Sequence, residues 1–460
     1  MQRRQFLTAS AALAGVNVLA SKAYPAHQMA VAQVPAGAAA GGQPGAAVQS
    51  SRRSSSQFFQ DEALNFQFLA MLGIAYDRAA DVGACLAIAD QIDETRPATA
   101  VAALTAAGER LAAQGDAAAA AGHRVTARES WMQAATYTFF ATFSVDAAGV
   151  PERFGPLWIR SQQLWDRATD LLVPPVQRVR IPYEGTTLPG YFYRADDSGR
   201  PRPLAIVNNG SDGSQMEIWP LLAAALRRGY HALTFWGPGQ GLALVEQQLY
   251  FRPDWEKVIT PVVDYARTRP DVDPDRIALL GVSQAGYWVL RAVAFEYRIA
   301  AAVADPGVVD VAEPTWKGIV AGLPPSIQQQ FAAGQKEAFD REMTEALREV
   351  PQEAALLTFR SRPYGFTSYY DLLKGVQQYN IRPVVDRIRC PMLITDPEGE
   401  QFWPGQSQQL YDLLPGPKAL VKFTAAEGAD LHCEPKSPSL RAQRMFDWLD
   451  PTLGYGTGAK

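Results

Sequence analysis

The stretch RIALLGVSQAGYW, residues 276–288, carries an unbroken apolar run into a helix-forming segment through one serine set among small residues. A short continuous apolar run bounded by a turn is the signature of a strand buried on both faces. Residues 275–280 therefore read as a strand and residues 284–288 as the opening of a helix. Gly281 and Ala285 flank Ser283 at two-residue spacing, with Gly286 next. A strand-to-helix turn this sharp leaves no room for bulky flanking side chains, and small ones let the serine hydroxyl stand clear of the backbone. The free N–H groups of the helix start would face an oxyanion there. Taken alone, Gly-x-Ser-x-small also describes an ordinary structural turn, so the other strand ends have to decide.

The same strand signature recurs on both sides of this stretch. VRIPYEGTTLPGYFYRA (179–195) alternates like a hairpin around a Gly-Thr-Thr turn region, and PLAIVNNG (203–210), HALTFWG (231–237) and IAAAVADPG (299–307) are short apolar runs separated by helical stretches. CPMLITDPEG (390–399) and ALVKFTAAEG (419–428) follow after a longer insertion at about 311–385. The expected fold class is α/β, a mostly parallel sheet covered by helices on both faces over residues 177–450. Ligands on such sheets gather at the carboxyl ends of the strands. Before the sheet, DEALNFQFLAMLGIAYDRAADVGACLAIADQI (61–92) and VTARESWMQAATYTFFATFSV (125–145) repeat apolar residues at helical spacing, so residues 57–172 read as a helical domain. Trp131, Tyr137, Phe139, Phe140 and Phe143 point several ways around one helix and read as core rather than as a ligand box.

A serine nucleophile needs an imidazole to take its proton. Of the four histidines, His27 lies near the amino terminus, His123 in the helical domain and His231 inside a strand, which leaves His432, in the polar loop AAEGADLHCEP after the last strand. The acid that orients it should come from an earlier strand end. Glu400 is favoured by its spacing before Pro404, which matches a D-x-x-x-P pattern; Asp396 and Asp305 remain alternatives. The order serine, acid, histidine is that of α/β-hydrolases, whose oxyanion hole uses the amide after the nucleophile and one from an earlier loop. Gln284 would supply the first and Ser211, in NNGSDGS (208–214), the second.

With IPYEGTTLPGYFY, NNGSDGS, WGPGQG (236–241), GVSQAG and EGADLHCE in view, the chain resembles the α/β-hydrolases related to the fermentation–respiration switch protein and to 2,6-dihydroxypseudooxynicotine hydrolase. The similarity runs from about Phe58 to Leu449. It implies a helical domain ahead of the hydrolase domain, a pocket between the two, and hydrolysis of esters or of carbon–carbon bonds beside a ketone, often in aromatic or polyketide-like compounds. The chain departs from that family at two points. Asp396-Pro397-Glu398-Gly399-Glu400 stands where His-Gly-x-x-Asp is usual, which leaves the acid open, and Trp236 stands where Asp often precedes Gly-Pro-Gly.

Composition narrows the classes further. The chain has 460 residues, 47% of them hydrophobic and 20% charged, enough for a large globular core. A net charge of −4 with no basic stripe sets nucleic-acid binding aside. Cys85, Cys390 and Cys433 have no metal-ligand spacing, and no motif calls for a metal or cofactor. Residues 1–32 pair Arg3-Arg4 with a weak apolar stretch, like a twin-arginine signal peptide that would be cleaved after Ala32 or Ala23. The stretch is too short and too weakly apolar for a stable membrane span. Residues 33–56, rich in Gly, Ala, Ser and Pro, read as a disordered linker. The leader implies the twin-arginine export machinery as a partner and a periplasmic or secreted location; a homodimer is left open.

The expected reaction is acyl transfer from a small aromatic or apolar carbonyl compound to water. Ser283 would attack, His432 would shuttle the proton, Glu400 would orient His432, and the Ser211 and Gln284 amides would bind the oxyanion. Carbon–carbon hydrolysis beside a ketone, acyl transfer to an alcohol, and a binding role on the same scaffold are the alternatives. The insertion, with Trp316, Tyr364, Phe366, Tyr369 and Tyr370, should help cover the pocket.

Overall fold

A computed structural model describes residues 56–456. The leader and, apart from Ser56, the linker lie outside the described residues. The chain opens with helices α1 (Glu62–Ile74), α2 (Val82–Ala89), α3 (Ala98–Ala120), α4 (Arg124–Phe140) and α5 (Phe154–Thr169). The stretch at 61–92, with its apolar residues at helical spacing, forms two helices. Arg78 takes a left-handed φ of 64°, and Asp81 caps α2 by accepting from the Ala84 amide. The α3 and α4 pair packs closely through glycine: a Cβ on Gly115 would lie 2.4 Å from the Trp131 ring.

The sheet follows, with strands β1 (Gln177–Tyr183), β2 (Thr186–Tyr193) and β3 (Arg202–Asn208), helix α6 (Gln215–Arg227), β4 (His231–Phe235), α7 (Gly241–Val245) and α8 (Glu256–Arg267). Next come β5 (Val272–Val282), α9 (Ala285–Val293) and β6 (Ala301–Asp305). Eight strands form one sheet in the order β1-β2-β4-β3-β5-β6-β7-β8, where β7 is Met392–Pro397 and β8 is Lys418–Phe423. The pairs from β4 to β8 are parallel, and β1–β2 and β2–β4 are antiparallel. This is the α/β-hydrolase arrangement. The β1–β2 turn is Glu184–Gly185, with φ of 37° and 81°, rather than the Gly-Thr-Thr region. A two-residue hairpin turn favours left-handed residues, a conformation that β-branched threonine resists, so Thr186 and Thr187 already pair with Tyr183 and Pro182.

The insertion between β6 and β7 is helical: α10 (Thr315–Gly322), α11 (Pro325–Ala332), α12 (Lys336–Arg348), α13 (Pro351–Ser361) and α14 (Tyr369–Val376). Helices α15 (Gln406–Leu413) and α16 (Pro438–Thr452) complete the cover. Among the described residues no helix is long and apolar enough to cross a membrane.

Two apolar layers hold the sheet. One face packs against α6 and α16 in a cluster that runs without a break into the N-terminal helices. Trp158 of α5 meets Trp236 edge-on at 5.3 Å, Trp165 meets Trp219 at 5.7 Å, and the Trp165 indole donates to the Tyr193 hydroxyl. Trp236 is thus a packing residue that joins the helices to the sheet. The other face carries α8, α9 and the insertion. Enclosed on both sides, the parallel strands leave their carboxyl edge as the place where side chains from all three regions meet.

Candidate active site

Ser283 follows β5 at that edge with a left-handed φ of 62°. Its amide donates to the Asp305 carbonyl at 2.6 Å, and its carbonyl accepts from the Gly286 amide at 2.8 Å. The turn has no spare room. A Cβ on Gly281 would lie 2.3 Å from the Ala285 carbonyl oxygen, and one on Gly286 would lie 2.0 Å from that of Pro306. The small residues around Ser283 are therefore a steric requirement, and α9 starts directly behind the hydroxyl.

His432 is buried in the loop after β8. Its Nε2 lies 2.9 Å from Ser283 Oγ and its Nδ1 lies 2.8 Å from Glu400 Oε2. Glu400 Oε1 accepts from the Phe402 and Trp403 amides at 2.8 and 3.0 Å, so the carboxylate is fixed before it meets the ring. With Nδ1–H donating to the carboxylate, the Nε2 lone pair faces the serine hydroxyl. Phe402, Trp403 and Phe66, the last from α1, surround the imidazole with ring centroids 4.6, 5.7 and 6.2 Å away.

The other carboxylates are engaged elsewhere. Asp305 accepts from Thr395 Oγ1 at 2.6 Å and pairs with Arg441 Nε at 2.9 Å. Asp396 faces Lys422 at 3.9 Å, and partial burial pushes its carboxyl above the usual range. His231 sits at the amino end of β4 and accepts from the Ala195 amide, and burial lowers its pKa below the ordinary imidazole value. His123 is exposed at the start of α4.

The NNGSDGS turn lies against the serine. The Gly210 amide donates to Asn209 Oδ1, whereas the Ser211 and Gln284 amides have no acceptor among the described residues, and both residues line the cavity. The Gly-Pro-Gly-Gln-Gly loop supports this turn from behind: Gln240 Nε2 donates to the Asn209 and Gly210 carbonyls at 2.7 Å each.

The cavity has a volume of about 260 Å³. Phe66 and Phe143 come from the helical region, Trp316 and Leu357 from the insertion, and Ser283 and His432 from the sheet. Phe143, read as core from sequence, packs on Phe139 and Phe140 at 5.2 and 5.6 Å, but it is only half-buried and also lines the cavity. Of the insertion aromatics, Trp316 and Tyr364 line the cavity; Phe366 is exposed, and Tyr370 packs on Phe331. Sequence reading missed Glu217, in the first turn of α6, which also lines the cavity. Its Oε2 accepts from the Ser214 amide at 2.9 Å. Burial, with Asp212 nearby, pushes its carboxyl up to about 8. Glu434, wholly buried beside Asp305 and Arg441, is raised for the same first reason. Among the described residues no group of His, Cys, Asp and Glu is placed to hold a metal.

No family model matches the chain. A hydrolase of a Fusarium species is 32% identical over 417 residues, covering 86% of this chain and 98% of the relative. An α/β-hydrolase of Aspergillus fumigatus is 29% identical over 436 residues, covering 86% and 95%. Among solved structures, that of 2,6-dihydroxy-pseudo-oxynicotine hydrolase superposes with a TM-score of 0.65 at 21% identity, covering 83% of this chain and 96% of that one.

Proposed function

The chain belongs to the α/β-hydrolase family, and from that premise we propose that it is a serine hydrolase acting through an acyl-enzyme on a small, uncharged carbonyl compound. One observation carries this reading: the hydrogen-bonded row Ser283–His432–Glu400 beside two amides without acceptors. His432 Nε2 takes the hydroxyl proton as Ser283 Oγ attacks the carbonyl carbon. The new oxyanion accepts from the Ser211 and Gln284 amides. The imidazolium returns its proton to the leaving group as the carbonyl re-forms. Water then repeats the sequence on the acyl-enzyme and releases the acid.

The charges around the cavity support an uncharged substrate. Arg360 and Arg441 both line it, but the first is paired with Asp212 and the second with Asp305. Each of these positive charges is balanced by a carboxylate, so the lining holds no unpaired cation among the described residues to draw in a carboxylate or phosphate. The aromatic lining suits an aromatic or apolar body.

Carbon–carbon hydrolysis beside a ketone is the second reading, favoured by Glu217. A carboxyl that stays neutral in the cavity is a proton source for a departing carbon, which an ester does not need. Fluorophosphonate labelling followed by peptide mapping tests the common mechanism. Modification of Ser283 is expected, and absence of any label overturns it. A panel of aryl esters and β-diketones then separates the two bond types by their products, and added alcohols reveal transfer in place of hydrolysis.

Export is part of the same reading and rests on the Arg3-Arg4 leader. Changing both arginines to lysine should retain the protein in the cytoplasm of a bacterial host; unchanged export would overturn it.

A further inference from the structure

A five-residue run at the end of α13, Arg360 to Tyr364, reaches three separate parts of the molecule. Arg360 Nη1 pairs with Asp212 Oδ2 at 2.6 Å, and the other oxygen of Asp212 accepts from Ser211 Oγ at 3.0 Å. The Tyr364 hydroxyl donates to Gln284 Oε1 at 3.2 Å. Arg362 Nη2 bonds both oxygens of Asp146, at 2.6 and 2.8 Å, in the helical region. We propose that this strap positions the oxyanion hole, Arg360 holding the Ser211 amide through Asp212 and Tyr364 holding the Gln284 amide through its side chain. The inference rests on the serine mechanism above and adds to it the residues that keep its two donors aligned.

Both donors lie on turns outside regular structure, so no ladder of hydrogen bonds fixes them from the cavity side. Tyr364 is buried, and burial raises its phenol, so it stays protonated and can only donate to the amide oxygen. Its ring is wedged edge-on among Phe251, Trp316 and Tyr379 at 5.0, 5.8 and 5.6 Å, which leaves the hydroxyl one orientation. Arg360 also lies over the Phe402 ring at 5.3 Å, and Phe402 packs on His432. The charged groups facing Arg360 and Asp212 are thus each other, with Glu217 in the next turn of the same segment. Arg362 anchors the strap to the helices, so the alignment depends on the insertion and on the N-terminal region together.

Neither Arg360 nor Tyr364 is assigned contact with the reacting atoms. Each is a positioning residue. The test is the rate of fluorophosphonate inactivation, because phosphonylation also develops an oxyanion in the hole, split into the maximal rate and the half-saturating concentration. Removing one oxyanion donor outright costs roughly 10²–10³. Loss of its support should therefore lower the maximal rate by about 10-fold or more in Tyr364→Phe and in Arg360→Met, with half-saturation within about twofold. Arg360→Lys should recover most of the loss, since one ammonium hydrogen can replace the single Nη1 contact. Tyr364→Phe combined with Gln284→Ala should be no slower than Gln284→Ala alone, because the hydroxyl acts through that side chain. Unchanged maximal rates in both single variants, or a change confined to half-saturation, overturn the strap. Failure of the serine mechanism looks different: the unmodified protein would then carry no label at Ser283.

Discussion

A Cβ added at Gly210 would lie 2.7 Å from the Cβ of Ser283 and 3.1 Å from its Oγ. The two residues lie on turns after neighbouring strands, β3 and β5, and only a glycine lets the first pass so close to the second. Ser211, whose amide is the proposed second oxyanion donor, is the next residue of that turn and lines the cavity with Ser283. Gly210→Ala should therefore push the turn away from Ser283 and lower turnover of an aryl ester by roughly 10²-fold, the cost of losing one oxyanion donor. Circular dichroism should show the fold retained. Near-normal turnover would mean that the turn supplies no donor.

The left-handed φ of Ser283 gives a second expectation. A residue with a Cβ pays about 1–2 kcal/mol in this region, and glycine does not. Ser283→Ala and Ser283→Gly should both lose turnover, yet the glycine variant should be the more stable of the two by about 1 kcal/mol in urea unfolding. Equal stabilities would indicate that the turn is unstrained.

Glu400 and Asp396 can be told apart directly. Glu400→Gln keeps an oxygen for the Phe402 and Trp403 amides but removes the charge facing His432, and should cost roughly 10²–10⁴ in turnover. Asp396→Asn should change turnover by less than about threefold, since Asp396 pairs with Lys422 and makes no hydrogen bond to His432. A reversed ranking would move the acid's role to Asp396.

Glu217 should give stability a pH dependence. Its carboxyl is neutral in the fold up to about 8, against an ordinary value of 4.5. The stabilisation of the neutral form is complete below about pH 4.5, and it is lost as the pH rises towards 8. Glu217→Gln cannot ionise, so its urea midpoint should gain on that of the unmodified protein between about pH 5 and pH 8. A constant gap between the two would show that Glu217 ionises normally.

How much of this was legible in the sequence depends on how local each feature is. The strands were legible because most are short apolar runs followed within a few residues by Gly, and the first two alternate as a hairpin; the serine turn was legible because its strand, small residues and helix are contiguous. His432 followed from elimination among four histidines. The acid was legible only as a preference: the spacing before Pro404 favours Glu400, but Asp396 and Asp305 also lie at strand ends. What separates them is which one the loop bearing His432 lands against. The break between α1 and α2 has a local signal in Asp81, an N-cap residue inside an otherwise periodic run. Arg360 and Asp212 are 148 positions apart, and nothing near either residue in the chain announces the pair. Phe143 carries the composition of core and the location of a cavity wall, a distinction that only tertiary placement makes.

The unbroken apolar layer joining the N-terminal helices to one face of the sheet also bears on how the molecule can be taken apart. Cutting the chain between Leu172 and Gln177 would strip cover from Trp219, Trp236 and Tyr193 at once. Each half would be left with a sticky surface instead of a finished exterior. The helices are therefore poor candidates for transplantation onto another enzyme, and the two regions should melt in a single calorimetric peak.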